Sequence, residues 1–317
     1  MRTITALFVG LGSIGTRHLK NLANLCADRG WTLQADALRS DLTRPLRPGA
    51  AELLHAQYTD PAAAPAHYDM VFITNPTSLH AEALRQVRGR GAALFIEKPI
   101  FSAEQTGLAL DQLLPAGQKA YVAAPMRWCG AMLALKDRLP ALHPYCARVI
   151  CSSYLPDWRP GVDYRTVYSA RKALGGGVTI DLIHEWDYLV ELFGVPEKLY
   201  NFKGTYSELE IDSDDLSVYI AKYPTLLAEV HLDYFGRGYR RSIELFCRDG
   251  SYLADFGKGT LTLPDGTVQH YEEDVNRRYE REMEYFVDYA LDGSGESCNP
   301  PALALKVLKL TLGENVQ

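Results

Sequence analysis

The feature that most constrains the fold is an N-terminal stretch, Thr3–Val9, that leads directly into Gly10-Leu-Gly12-Ser-Ile-Gly15. The residues before the glycines are mostly apolar or β-branched, which predicts a buried parallel strand. Residues 17–27 then have the apolar spacing of a helix. A G-x-G-x-x-G motif between a strand and a helix is typical of dinucleotide binding.

Each glycine of this motif has a predicted physical role. Gly10 makes the tight turn, Gly12 lets the main chain approach a pyrophosphate, and Gly15 lets the helix pack on the strand. The pyrophosphate would lie beside Ser13 and Ile14 at the helix N-terminus, where unpaired N–H groups and the helix dipole favour an anion. The alternative is an incidental glycine-rich turn.

Length and charge narrow the class of protein. The 317 residues predict two domains: a dinucleotide-binding domain at 1–123, and a substrate and oligomerisation domain at 124–317 whose C-terminal helix is expected to pack back on the first. A net charge of −6 disfavours nucleic acid and acidic membrane surfaces as partners. No apolar run approaches the ~20 residues of a membrane span, and no signal peptide precedes the first strand. The six scattered cysteines indicate reduced thiols in a cytoplasmic protein and predict no metal site.

The order of predicted elements indicates an α/β protein. The first third alternates strands (32–38, 70–74, 92–96, 119–123) with helical segments (near 50–55, 79–88, 103–114), which predicts a doubly wound parallel sheet of the Rossmann type. Beyond Pro125, strands at 147–153, 216–222, 227–234 and 242–247 have few helices between them, which predicts an open, mostly antiparallel sheet. One helix is predicted at about 178–193, and two more at 276–291 and 301–312.

Ligands of an open parallel sheet bind outside the carboxyl ends of its strands. Besides the glycines, three segments lie at that predicted edge: Leu38-Arg39-Ser40, Thr74–Ser78 and Glu97-Lys98-Pro99. An arginine after the second strand suits the 2′-phosphate of NADP, with Ser40 as a second donor. Asp41 could instead contact the ribose of NAD, and Arg39 could simply be a solvated surface residue.

Lys98 follows a predicted strand and precedes a proline, which restricts the backbone before it. Its ammonium could orient a substrate hydroxyl and ease its deprotonation. The alternative is a Glu97–Lys98 pair on the rim of the sheet.

A further group of candidate catalytic residues lies in the segment Gly175-Gly-Gly-Val-Thr-Ile-Asp181-Leu-Ile-His184-Glu-Trp-Asp187. On a helix, Asp181 and His184 at i and i+3 share one face, and a carboxylate beside an imidazole is a plausible proton-accepting pair. A solvated or capped helix is the alternative.

A segment without predicted strands, residues 154–171, is rich in tyrosine and arginine and is called here the Tyr/Arg segment. Aromatic faces suit sugar rings, and arginines suit a carboxylate or phosphate. The segment therefore predicts a substrate wall, although a loop packed on the sheet would explain it equally well. The wall residues are Tyr154, Asp157, Trp158, Arg159, Tyr164, Arg165, Tyr168 and Arg171.

Together these motifs resemble the glucose–fructose oxidoreductase and inositol dehydrogenase (Gfo/Idh/MocA) family. The matching pieces are GLGSIG, TNPTSLHAEAL with Asn75, Pro76 and His80, EKP at 97–99, and the GGG…D…H…D helix; APMRW at 124–128 is similar to a turn where the family often has an arginine. The resemblance implies a Rossmann domain, and then a domain with an open antiparallel sheet often used for oligomerisation. It also implies that Lys98 is the site lysine, with Asp181 and His184 flanking the reacting carbinol. One departure is that His184 follows Asp181 by three residues where the family commonly has four, which puts the role of Asp181 in doubt.

From the residues and the resemblance we expect an NAD(P)-dependent oxidoreductase acting on a secondary alcohol or ketone of a sugar, cyclitol or nucleotide sugar. The expected cofactor is NADP, with NAD as the alternative, and the expected assembly is a homodimer or homotetramer formed through the C-terminal sheet. Arg127 is expected to contact both cofactor and substrate. The other expected cofactor contacts are the three glycines of the motif and Ser13, Ile14, Arg39, Ser40, Thr74, Asn75, Pro76, His80, Glu97 and Lys98. A non-catalytic, cofactor-binding regulator or sensor on the same fold is the second hypothesis.

Overall fold

The structure is a computed structural model that describes residues 2–292 and 294–316. The chain divides into two compact units. The first contains Met1–Ala123 and Tyr279–Leu305, and the second contains Ala124–Arg278 and Lys306–Gln317.

The first unit is built on a six-stranded parallel sheet. Its strands are β1 (Thr3–Val9), β2 (Thr32–Leu38), β3 (Leu54–Tyr58), β4 (Tyr68–Ile73), β5 (Gly91–Ile96) and β6 (Lys119–Val122), in the order β3-β2-β1-β4-β5-β6. The helices α1 (Ser13–Asp28), α2 (His80–Gln86) and α3 (Leu110–Leu113) lie between the strands in sequence. This strand order and pairing confirm the predicted doubly wound parallel sheet.

Apolar runs explain why the central strands are buried. The rings of Phe8 and Phe72 stack with centroids 4.4 Å apart, and the Phe95 ring lies 5.3 Å from that of Phe72. All three side chains are fully buried. Strands covered on both faces need such continuous apolar sequences, which is why β1, β4 and β5 were recognisable.

Two predicted helices of this unit are wrong. The segment near 50–55 forms a short 3₁₀ turn, Ala51–Leu53, and then the edge strand β3, whose residues alternate in burial. Residues 103–114 form a 3₁₀ turn, Ala103–Gln105, and the four-residue α3. Ser102 and Gln105 cap that turn reciprocally, and Gly107 disfavours continuation of the helix.

The second unit is built on an eight-stranded sheet. Its elements are α4 (Gly130–Arg138), β7 (Cys146–Tyr154), α5 (Val178–Asp181), α6 (His184–Phe193), β8 (Lys198–Gly204), β9 (Leu216–Lys222), β10 (Leu227–Asp233), β11 (Phe235–Cys247), β12 (Gly250–Asp255), β13 (Thr260–Thr262) and β14 (Val268–His270). The strand order is β14-β13-β12-β11-β7-β10-β9-β8. The β7–β10 pair is parallel and the other pairs are antiparallel, which confirms a separate, mostly antiparallel sheet. Two long helices, α7 (Val275–Asp292) and α8 (Pro301–Thr311), follow.

The two faces of this sheet differ in character. On the covered face, the Trp186 ring of α6 lies 5.2 Å from the Tyr219 ring of β9, and both are fully buried. On the other face, Tyr200, Phe202 and Ile220 are exposed. The alternation of β-strand side chains sorts the residues between these faces.

The single helix predicted at 178–193 is wrong, because the structure has two helices there. Leu182 leaves helical geometry with φ −98° and ψ 33°, and Ile183 N donates to Ile180 O, a three-residue spacing. Asp181 ends α5 and His184 begins α6. The two residues therefore do not share the face of one continuous helix.

Among the described residues, no helix combines the length and the apolar character needed to cross a membrane.

Candidate active site

The first and third glycines of the motif are required by close packing. Gly10 has a φ of +81°, and a Cβ there would lie 2.7 Å from the Cα of Asn75. A Cβ on Gly15 would lie 2.6 Å from Thr74 Oγ1, whose hydroxyl donates to the Gly10 carbonyl. Since real Cβ atoms do not approach so closely, no larger residue fits either position without displacement.

The second glycine has open space in front of it. A Cβ on Gly12 would meet no atom within 4 Å. Gly12 is the N-cap of the 16-residue α1, provides no side-chain cap, and is followed by a first turn without acidic residues. The first N–H groups of a helix have no partner within it, and together with the helix dipole they attract anions. These residues fit the pyrophosphate of a dinucleotide.

A cavity of about 310 Å³ adjoins this cradle within the first unit. Its lining brings together Gly10, Arg39, Ser40, Asn75 and Pro76, all of which are predicted cofactor contacts. These residues follow β1, β2 and β4, which are neighbours in the sheet. The cavity lies at the carboxyl edge, where the strand order reverses direction between β1 and β4.

Two side chains after β2 are held in different ways. The Arg39 guanidinium donates to Gln57 Oε1 over 2.8 Å and also to the Arg44 carbonyl. The Asp41 carboxylate accepts from Thr43, and this hydrogen bonding lowers the pKa of Asp41. Gln57 belongs to β3, the strand that the sequence did not predict, so its contact with Arg39 was missed as well.

His80 is buried and braces the loop that contains Asn75. Its Nε2 lies 3.0 Å from the Asn75 carbonyl and its Nδ1 3.1 Å from the Ile100 carbonyl. Burial lowers the pKa of His80, although both carbonyls oppose this effect. The imidazole therefore joins two loops of the carboxyl edge, the one after β4 and the one after β5.

The Glu97-Lys98-Pro99 segment directly follows β5, and the Lys98–Pro99 peptide bond is cis. Glu97 is buried and its Oε1 lies 2.5 Å from His18 Nε2. Lys98 is half-buried, and within the part of the chain that the structure describes its ammonium has no hydrogen-bond or ion-pair partner. The lysine thus lies at the same sheet edge as the glycines, two strands away from β1.

In the second unit, Asp181 is linked to the Tyr/Arg segment through one tyrosine. Tyr234 Oη donates to Asp181 Oδ2 over 2.6 Å. The Trp158 ring packs edge-on against the Tyr234 ring with centroids 5.2 Å apart, and its Nε1 donates to Ser153 Oγ. Asp181 and Trp158 therefore share a neighbour, which the sequence did not reveal.

Two arginines, the buried Arg127 and the partly buried Arg241, hold α6, which begins with the half-buried His184. Arg241 of β11 binds Glu185 through two hydrogen bonds of 2.7 and 3.1 Å. Arg127 binds Asp187 through two bonds of 2.9 and 2.8 Å and also contacts Glu191. The acidic residues of the H-E-x-D motif thus bind arginines inside the unit, and Arg127, a predicted ligand contact, is 3% exposed.

The side chains of the Tyr/Arg segment differ in their contacts and in their exposure to solvent. The Arg237 guanidinium lies 3.7 Å from the centroid of the Tyr154 ring. Arg165 is paired with Asp163 and Glu210, and the Tyr164 hydroxyl accepts from the Glu210 N–H. Other members are exposed: Asp157, Trp158, Arg159, Tyr168 and Arg171.

The fold and the glycine geometry define the first unit as a dinucleotide-binding Rossmann domain. Residues 4–122 match the model of the oxidoreductase family with an NAD-binding Rossmann fold, Gfo/Idh/MocA. This match confirms, over residues 4–122, the family resemblance that the sequence motifs predicted.

Solved structures extend the likeness in fold to nearly the whole chain. Levoglucosan dehydrogenase in complex with NADH and levoglucosan has a TM-score of 0.81 at 15% identity, over 98% of this chain and 96% of that one. An oxidoreductase from Agrobacterium radiobacter, in complex with NAD⁺, L-tartaric acid and magnesium, has 0.79 at 17%, over 98% and 95%. UDP-N-acetylglucosamine 3-dehydrogenase from Acidithiobacillus ferrooxidans has 0.71 at 18%, over 99% and 97%. No curated protein matches the chain by sequence.

Proposed function

We propose that this chain is an NADP-dependent oxidoreductase that transfers a hydride between the nicotinamide and a secondary alcohol or ketone of a sugar, cyclitol or nucleotide sugar. The observation that carries this proposal is the position of the Lys98 ammonium, which has no hydrogen-bond or ion-pair partner among the described residues and lies at the same sheet edge as a cradle that fits a pyrophosphate. When bound, the dinucleotide supplies the hydride acceptor or donor. Two structural neighbours are named for sugar or nucleotide-sugar substrates, which supports the substrate class.

The chain's own residues supply orientation and a proton. Lys98 polarises the substrate oxygen by its positive charge, since an ammonium favours the developing alkoxide. His184 accepts the hydroxyl proton in the oxidative direction and returns it in the reductive one. Asp181, fixed by the Tyr234 hydroxyl, orients one of these two groups.

Arg39 and Ser40 favour NADP over NAD. Both residues line the cavity beside Gly10, and a guanidinium recognises a phosphate through paired hydrogen bonds. Gln57 and the Arg44 carbonyl preorganise the Arg39 side chain. The Asp41 carboxylate accepts from Thr43 within its own loop, which leaves it less suited to bind a ribose hydroxyl.

The experiment has two arms. NADPH and NADH are titrated against the purified protein, and neutral and acidic sugars, cyclitols and nucleotide sugars are then screened by absorbance at the nicotinamide band. We expect NADPH to bind more tightly, and at least one sugar-type compound to be turned over. Tight cofactor binding without turnover of any compound would favour a regulator or sensor instead.

Lys98→Met provides the residue-level test. Losing a charge aimed at the reacting oxygen is expected to lower kcat by about 100-fold or more, while the Kd for NADPH changes little. Lys306→Met, which removes a lysine from α8, is the control. Full activity of Lys98→Met would remove this lysine from the proposed chemistry.

We also propose that the chain forms a homodimer or homotetramer through the open face of the second unit's sheet. Register places Tyr200 beside Ile220 and Phe202 beside Val218 on that face. Phe202 is 74% and Tyr200 53% exposed, an apolar patch that suits a second copy. Light scattering should show an oligomer that Phe202→Glu dissociates; a monomeric parent protein would contradict the proposal.

A further inference from the structure

A buried imidazole–carboxyl hydrogen bond joins α1 to the segment that contains Lys98. His18 Nε2 and Glu97 Oε1 are 2.5 Å apart, and both side chains are buried. The His18 ring packs 4.7 Å from the Phe95 ring and 6.1 Å from the Tyr279 ring. His18 Nδ1 is buried without a partner among the described residues, so Glu97 is the polar contact of this ring there.

Glu97 also forms a hydrogen bond with the main chain of Lys98. Its second oxygen, Oε2, accepts a hydrogen bond of 3.1 Å from the Lys98 N–H. Burial opposes ionisation of this carboxyl, but His18 and Lys98 outweigh it and lower the pKa of Glu97. A carboxylate with one oxygen on His18 and the other on the Lys98 amide has little freedom to move, so it fixes the local backbone.

The same helix connects His18 to the phosphate cradle. Gly12 is the N-cap of α1, and His18 lies six residues further, about 9 Å along the axis at 1.5 Å per residue. A helix is stiff over this distance. The position of Lys98 is therefore tied, through Glu97 and His18, to the helix end that fits the pyrophosphate.

We propose that His18 is a positioning residue, which holds the main chain of Lys98 at a fixed distance from the pyrophosphate end of α1. It contacts neither substrate nor nicotinamide and acts only through Glu97. This inference rests on the proposed function, in which Lys98 orients the substrate oxygen. A purely structural role for the pair is the alternative, and it predicts lower stability without a specific effect on Lys98.

The experiment compares His18→Leu and His18→Gln with a matched control in the same unit. Tyr121→Phe removes another hydrogen bond to a buried carboxylate, the 2.8 Å bond to Glu282 Oε1, far from Lys98 in the sequence. For each variant we measure amide hydrogen exchange of the peptide containing Lys98, the Kd for NADPH, kcat and the free energy of unfolding. Pro99 has no amide, which simplifies assignment of the Lys98 signal.

We expect His18→Leu to speed exchange of the Lys98 amide about tenfold and to lower kcat about tenfold or more, because one hydrogen bond to a charged group is worth at least that factor. The Kd for NADPH should stay within about threefold, since the glycine cradle is intact. His18→Gln, whose amide can still donate, should recover part of both effects. Tyr121→Phe should change stability alone.

Unchanged Lys98 exchange in both His18 variants would overturn the proposal, as would a loss of kcat that Tyr121→Phe reproduces at equal destabilisation. The outcomes also separate this inference from the proposed function. An inactive Lys98→Met with a fully active His18→Leu rejects only the positioning role, whereas a fully active Lys98→Met rejects the role of the lysine itself. The exchange measurement needs no substrate and is informative in either case.

Discussion

Tyr234 Oη donates to Asp181 Oδ2 over 2.6 Å, so a tyrosine between β10 and β11 determines where the carboxylate at the end of α5 points. Burial, and then the charge of Asp181, raises the pKa of Tyr234 well above its usual range. The phenol therefore remains protonated at physiological pH and continues to donate. This hydrogen bond gives Asp181 a fixed orientation despite the break in the helix after it.

Removing this donor with Tyr234→Phe should lower kcat about tenfold. A hydrogen bond to a charged group contributes about 1.5–3 kcal/mol, and about 1.4 kcal/mol corresponds to a factor of ten in rate. The measurement is steady-state kinetics with the substrate found in the screen. Tyr219→Phe is the control, because Tyr219 also donates a buried 2.6 Å bond, to the Thr311 carbonyl. Equal losses in the two variants would contradict a specific role for Tyr234.

The sequence predicted the central strands because their burial requires continuous apolar runs. β1, β2 and β9 lie at the predicted residues. The edge strand β3 was missed because Leu54-His-Ala-Gln-Tyr58 is half polar and only one of its sides has a strand partner. Helix breaks were missed for a related reason. Leu182 and Ile183 are buried apolar residues that fit the 3.6-residue periodicity of a helix. This periodicity alone does not show that the helix is interrupted between α5 and α6.

The chemistry-bearing motifs were visible, but their partners were not. Lys98, Asp181 and His184 lie in short, recognisable patterns. Their partners come from distant parts of the chain: His18 contacts Glu97, Tyr234 contacts Asp181, and Arg241 contacts Glu185. His18 is 79 residues from Glu97, and Arg241 is 56 residues from Glu185. A single sequence contains no signal for such pairs, although a histidine in the first helix directly after the glycine motif is a position to inspect.

Arg39→Ala should reduce the preference for NADPH over NADH. A lost guanidinium–phosphate contact of about 1.5–3 kcal/mol corresponds to a roughly 10- to 100-fold higher Kd for NADPH. The Kd for NADH should stay unchanged because NADH has no 2′-phosphate. Fluorescence titration measures both constants. Arg88→Ala removes the same charge from an exposed site of this unit and should affect neither; equal weakening of both cofactors by Arg39→Ala would reject the NADP assignment.

The Arg241–Glu185 pair, in which Glu185 is fully buried, should behave as a coupled unit. Removing one member with Arg241→Met leaves an unpaired buried carboxylate, which costs about 3–5 kcal/mol of unfolding free energy. The double variant Arg241→Met/Glu185→Met should recover a substantial part of that loss, since no charge is then left unpaired. Denaturant unfolding of the parent, both single variants and the double variant measures the coupling. Strictly additive losses would show that the two side chains do not stabilise each other.

His80 should make the first unit less stable in mild acid. Burial lowers the pKa of His80 below its ordinary value of 6.5, so at lower pH the unfolded chain takes up a proton there before the folded chain does. Stability therefore falls as the pH decreases from 6.5 towards the folded pKa, and it rises with pH in that window. Denaturant unfolding between pH 8 and 5 measures the slope. His80→Gln should flatten it; a slope as steep as that of the parent protein would contradict this assignment.

Two arginines of the Tyr/Arg segment should differ in their effect on substrate binding. Arg165 is already paired with Asp163 and Glu210, whereas the exposed Arg159 side chain has no ion pair or hydrogen bond within residues 2–292 and 294–316. Arg159→Ala should therefore raise KM for an acidic or phosphorylated substrate about tenfold, the value of one charge-assisted hydrogen bond. Arg165→Ala should raise it less, because its charge is partly neutralised. Neither change should affect the Kd for NADPH. If KM for every accepted substrate is unchanged in both variants, this segment does not form the substrate wall, and its tyrosines serve to pack the loop on the sheet.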